Sequence, residues 1–193
     1  ILKVGQLTVS GDGSKIFANA SKHSAMSHDR IEKEIKLAED QIVELLEKAE
    51  EADSTPLQDG LTIPEEIGRR EDRLAKLKEA KAVLDERAKV RFKKELAEHE
   101  QKLAERESKE KKTGRKARGK VPKQPEPGAR PKDQYNFTDP ESRIMKCGGS
   151  FEQCYNFQAV VEVGTMLIVG GFVTNAPNDK EQLKPLVEAI SPV

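Results

Sequence analysis

The chain has 193 residues, of which 34 are Lys or Arg and 34 are Asp or Glu, so the formal net charge at neutral pH is zero. Hydrophobic residues make up 35% and aromatics 4%, too few to build one compact core along the whole length. No run of 18 apolar residues occurs, so no helical membrane span is predicted, and the expected location is the cytoplasm.

Charge is unevenly placed. Residues 27–108 hold 40 of the acidic and basic side chains, whereas residues 134–193 hold 11 of them and six of the eight aromatics. The end of the chain is therefore where a core is expected. In chain order, residues 7–10 and 15–18 read as two short strands about a glycine-flanked turn, Gly11-Asp12-Gly13-Ser14, with Asp12 at a strand end. From Ser27 the period changes. Ile31, Ile35, Ala38, Ile42, Leu45 and Ala49 alternate spacings of four and three, which keeps one apolar seam on a helix, and Asp29 suits its N-terminal dipole.

Turn residues between Ser54 and Gly60 interrupt that helix, and Thr62 with Pro64 and Glu65 marks a new N-terminus. Ile67, Leu74, Leu77, Leu84, Ala88, Phe92, Leu96 and Leu103 supply the second stripe, interrupted by Lys81 and Arg91. Two long helices with a short connection predict an antiparallel helical hairpin over residues 27–108. Its narrow seam suits packing within the chain or self-association.

Residues 109–133 carry ten Lys or Arg, four Pro and almost no apolar side chains, the composition of a flexible basic linker. Lys109, Lys111, Lys112, Arg115, Lys116, Arg118, Lys120 and Lys123 are candidate DNA-binding residues, since mobile cations neutralise phosphates without reading sequence. A linker kept solvated by its charge is the competing reading. No aromatics interleave the charges, so base stacking is not expected.

Residues 134–193 predict strands at 143–146 and 154–163, with Tyr155, Phe157, Ala159, Val161 and Val163 on one face and Asn156, Gln158 and Glu162 on the other. A turn at Gly164-Thr165 leads to a partner strand through 166–174, and Asp179 is expected to cap a helix bearing Leu183, Leu186, Val187 and Ile190. Asp139 is likewise read as a cap or turn residue. Cys147 and Cys154 fit neither a zinc pattern nor a disulfide framework, and His23, His28 and His99 read as surface residues. By spacing alone, Asp12 fits an ordinary hairpin turn better than a metal site.

Several blocks, in order, carry a resemblance: residues 11–16 (GDGSKI) with 18–21 (ANAS), 136–146 (NFTDPESRIMK), 155–158 (YNFQ), and Val173-Thr174 through Asn178-Asp179 to Gln182-Leu183. Together they resemble bacterial insertion-sequence transposases of the DDE type over nearly the whole chain. The resemblance implies an α/β fold, a partial ribonuclease-H-like mixed sheet interrupted by the helical hairpin and basic linker. It implies Asp12 as the first acid of a catalytic triad that binds Mg²⁺ or Mn²⁺ and cuts and joins DNA, with Ser14 standing where the family has Thr. Its partners would be transposon ends and target DNA, and its location the bacterial nucleoid.

The family's second and third acids lie beyond the helix that starts near Asp179, and its N-terminal DNA-binding region lies upstream of Asp12. The chain therefore reads as an internal fragment, inactive alone, with weak or no metal binding of its own. No small-molecule substrate and no membrane partner are expected. The competing classes are a non-enzymatic coiled-coil or nucleic-acid-binding module and a decayed transposase relic.

Overall fold

A computed structural model describes residues 8–51, 63–116 and 119–190. The chain divides into two compact units, the first running to Met26 and resuming at Asn136, the second spanning Ser27–Tyr135.

The second unit is helical. Helix α1 (His28–Glu51) buries Ile31, Ala38 and Leu45, one residue every seven, against helix α2 (Ile63–Thr113), which buries Leu77, Ala80, Leu84 and Ala88. The helices run antiparallel: Lys81 of α2 pairs with Glu32 near the start of α1 at 2.7 Å, whereas Arg70, earlier in α2, reaches Gln41, later in α1, and the pairs Lys78–Glu39 at 2.8 Å and Arg73–Glu34 lie between them. Lys81 interrupts the apolar stripe of α2 because its amine reaches across to Glu32. The expected interhelical turn and the Thr62 start lie outside the described residues.

Helix α2 extends further than the sequence suggests, to Thr113, so Lys109, Lys111 and Lys112 are helical rather than part of a linker. The segment that follows is not a freely projecting coil. It returns along α2 in the opposite direction: Arg106 donates to the Gly119 and Lys120 carbonyls, His99 Nε2 lies 3.3 Å from the Pro122 carbonyl, and Arg130 pairs with Glu95 at 2.8 Å. Arg91 then takes the Gly128 carbonyl and Asp133. Prolines remove backbone donors, and the arginines of α2 satisfy the carbonyls that extended backbone leaves open. This explains Arg91, the second break in the stripe.

The first unit is built on a sheet whose central strand is β5 (Ser150–Glu162). Strand β1 (Val9–Phe17) pairs with it antiparallel from Val9↔Glu162 to Phe17↔Cys154. On its other side lie β4 (Arg143–Cys147) and then β6 (Ile168–Thr174), both antiparallel. A two-stranded ribbon pairs β2 (Ala25–Ser27) with β3 (Gln134–Asn136). Gly148 and Gly149, both at positive φ, form the two-residue turn from β4 to β5. Every described strand pair of this sheet is antiparallel, so the parallel pairing of a mixed sheet is not found among the described residues.

Two expectations need correction, the turn at 11–14 and the cap at Asp179. Residues 9–17 form one continuous strand, without the turn expected at 11–14, because Gly11, Asp12 and Gly13 stay in register with Val160, Ala159 and Gln158. The alternation of β5 is present, but the face with the polar residues is the covered one: Cys154, Asn156, Gln158 and Val160 are buried, whereas Tyr155, Phe157, Ala159 and Val161 are half-buried. The short helix α3 (Leu183–Glu188) follows Gln182, which makes no side-chain cap, so Asp179 does not cap it. Leu186 of α3 is buried, and its Cδ2 occupies the space that a Cβ at Gly11 would need. Glycine at that position lets the helix descend onto the backbone of β1.

No helix among the described residues is long and apolar enough to cross a membrane.

Candidate functional site

Strand β1 presents Asp12 opposite Ala159. Backbone bonds from Ala18 N to Gln153 O and from Val163 N to Thr8 O make the even-numbered residues of β1 the hydrogen-bonded pairs. The Gly13 N–H therefore points to the open edge of the strand. There it donates to Asp12 Oδ1 at 2.8 Å. Asp12 is exposed and borders an open depression with Ser10, Ser14, Ala159, Val161, Val163 and Met166.

The donor chemistry around Asp12 fits one position of a hard-cation site. A carboxylate flanked by two serines on an exposed strand offers oxygen ligands of the kind Mg²⁺ accepts. A two-ion centre needs several carboxylates, and no group of three or more His, Cys, Asp or Glu able to hold a metal occurs among the described residues. The rest of the depression, formed by Ala159, Val161, Val163 and Met166, is apolar.

The opposite face of the sheet carries a polar cluster that the sequence did not suggest. Asp179 Oδ1 accepts from Asn156 Nδ2 at 2.8 Å and from Gln158 Nε2, while Asn156 Nδ2 also donates to the Ala176 carbonyl at 3.1 Å. Lys15 Nζ lies 3.8 Å from the same carboxylate oxygen. These donors, Asn156 first, then Gln158 and Lys15, hold the Asp179 carboxyl below the usual carboxylate range. Asn156 and Gln158 are 0% and 1% exposed. Asn156 Oδ1 is buried without a hydrogen-bond partner.

Gly13 lies directly beneath this cluster. A Cβ there would collide with Gln158 Nε2 and Asp179 Oδ1 and sit 2.9 Å from Asn156 Oδ1. The two glycines beside Asp12 therefore serve the covered face, one under Leu186 and the other under Asp179. The signal was visible as residue type, but its partners lie near the other end of the chain.

The other acids are engaged locally. Glu162 receives Gly164 N at 2.9 Å together with the Thr165 amide and hydroxyl, which lower its pKa, the hydroxyl most. Asp139 closes a turn by accepting from Glu141 N and Ser142 N, and both of its oxygens receive the Tyr155 hydroxyl. Cys147 and Cys154 are free thiols, and burial pushes that of Cys154 upward. His23 is exposed, but His28 and His99 are half-buried rather than surface residues. His28 sits between Glu32 and Asp85, at 3.9 and 3.6 Å.

In the helical unit, Lys109, Lys111 and Lys112 ride the exposed end of α2, followed by exposed Arg115 and Lys116. Lys120 and Lys123 are exposed in the returning segment, where Lys123 pairs with Glu126 at 2.6 Å. Arg118 lies outside the described residues. No family model, curated protein or solved structure matches the chain.

Proposed function

We propose that this chain is part of a DDE-type transposase and that Asp12 is the first metal-binding acid of its DNA cleaving and joining centre. The ordered series of sequence blocks carries this reading. The exposed carboxylate of Asp12, on a strand of an antiparallel sheet that continues into a helix, supports it. The bound ion would polarise phosphate oxygens. This chain's contribution is one fixed carboxylate, presented between Ser10 and Ser14. The exposed cations of residues 109–123 attract DNA by charge alone.

Two measurements test the reading. Mn²⁺ titrated into the chain should broaden NMR signals of residues 10–14 and their cross-strand neighbours around 159, weakly, and Asp12→Asn should abolish the effect. Strand transfer by the full reading frame should also be lost in Asp12→Asn. Broadening centred elsewhere, or strand transfer that survives Asp12→Asn, defeats the proposal. DNA retention that depends on the basic segment and is indifferent to Asp12 would instead support a non-enzymatic nucleic-acid-binding module.

A further inference from the structure

The Asp179 cluster lies on the far face of the sheet from Asp12, yet it touches the same piece of backbone. Gly13 is the residue whose N–H holds the Asp12 carboxylate and whose Cα lies beneath Asp179, Asn156 and Gln158. The two carboxamides are fully buried on the central strand, so they are fixed donors rather than mobile surface groups. Both donate to one oxygen, Asp179 Oδ1. Asn156 also takes the Ala176 carbonyl, so the segment leading to Asp179 is held at two points.

We infer that Asp179 is a positioning residue for Asp12: through Asn156 and Gln158 it clamps residues 176–179 over Gly13 and fixes the stretch of β1 that presents the Asp12 carboxylate on the other face. This rests on the reading of Asp12 as a metal ligand. Asp179 Oδ1 is committed to Lys15 and the two amide donors, so this oxygen acts in the clamp. The clamp also accounts for the glycine at position 13, since any side chain would enter the space where the three polar groups meet. Lys15, two residues further on the same face, offsets the carboxylate charge.

The geometry separates the role of hydrogen bonding from that of charge. Because one oxygen receives both amides, an asparagine at 179 keeps an acceptor in the same place while losing the charge, whereas alanine loses both. The test compares Asp179→Ala with Asp179→Asn in the 193-residue chain by NMR, with and without Mn²⁺. In Asp179→Ala, backbone order parameters should fall at Gly11–Ser14 and at 176–180, with the β5–β6 pairing retained. Mn²⁺ affinity at Asp12 should fall on the order of tenfold, the loss typical of removing a supporting partner of a metal ligand. Asp179→Asn should restore both properties to near the parent values. A purely structural brace elsewhere in the unit would leave the Asp12 signals and the Mn²⁺ affinity unmoved.

Unchanged order parameters at residues 11–14 in Asp179→Ala, or equal damage in Asp179→Asn, overturn the inference. If strand transfer survives Asp12→Asn, the transposase reading fails, and the order parameters still decide the clamp.

Discussion

The hydroxyl of Tyr155 lies 2.8 and 2.9 Å from the two carboxylate oxygens of Asp139. It ties the central strand to the turn before β4, and Asp139 also holds the amides of Glu141 and Ser142. A hydrogen bond to a charged group contributes about 1.5–3 kcal/mol. Tyr155→Phe should therefore lower stability by about 2 kcal/mol in urea denaturation.

The same pairing sets a pH dependence. Burial first, and donation to Asp139 second, push the Tyr155 phenol up from 10.0 to about 12. Above the ordinary value the unfolded chain loses the phenolic proton while the folded chain keeps it, so the folded state binds more protons and stability falls as pH rises. The contribution is complete below the ordinary value and is lost between it and about 12. In a Tyr135→Phe background, the phenolate absorbance of the folded protein should appear in the upper part of that window. A midpoint at the ordinary tyrosine value would contradict the pairing.

The two glycines of β1 should differ in their tolerance of alanine. At Gly11 the obstruction is the end of the Leu186 side chain, which can turn aside; at Gly13 it is three polar atoms, two of them on fully buried carboxamides. Overpacking costs about 1–3 kcal/mol. Gly11→Ala should fall near the low end and Gly13→Ala near the high end, measured by denaturation. The reverse order would show that α3 is held more rigidly than the Asp179 cluster.

In the helical unit, Leu84 is 2% exposed and Val90 is 63% exposed. Leu84→Ala should cost about 2–5 kcal/mol, and Val90→Ala no more than about 0.5 kcal/mol. Glu32→Gln removes the partner of Lys81, an exposed pair contributing less than about 1 kcal/mol that shrinks in salt. Thermal unfolding followed by circular dichroism, at low and at high salt, checks all three.

For DNA, neutralising Lys109, Lys111, Lys112, Lys116 and Lys120 should flatten the dependence of log affinity on log salt by about 0.9 for each phosphate that is no longer neutralised. Lys123 should matter least, since Glu126 already engages it. A salt slope unmoved by all of these changes would remove the basic segment from any DNA-binding role.

The helices were readable from their periodic seams because each apolar stripe reports its own covered face: Ile31, Ala38 and Leu45 are buried as spaced. The limits of α2 were not, because Lys109 to Thr113 continue the helix without apolar residues. On β5 the alternation was clear, but which face is covered depends on what lands on it. The Asn156 and Gln158 face is covered by residues 176–186, and no pattern within the strand announces them. Gly11-Asp12-Gly13-Ser14 looked like a turn because short-range turn chemistry and long-range close packing require the same residue. Distinguishing them requires Leu186 and Asp179, which only the fold brings near.

The insertion of Ser27–Tyr135 brings its own ends together: His28 N donates to the Asp133 carbonyl at 2.8 Å and Asp29 N to that of Pro131 at 3.3 Å. Once those ends have met, β1 and β5 search for each other across a much shorter effective loop than the sequence between them. Loop-closure entropy falls by about 0.6 kcal/mol for each halving of that loop. An insertion that closes its own ends in this way leaves the two strands it separates nearly as close in effective chain length as if it were a short loop.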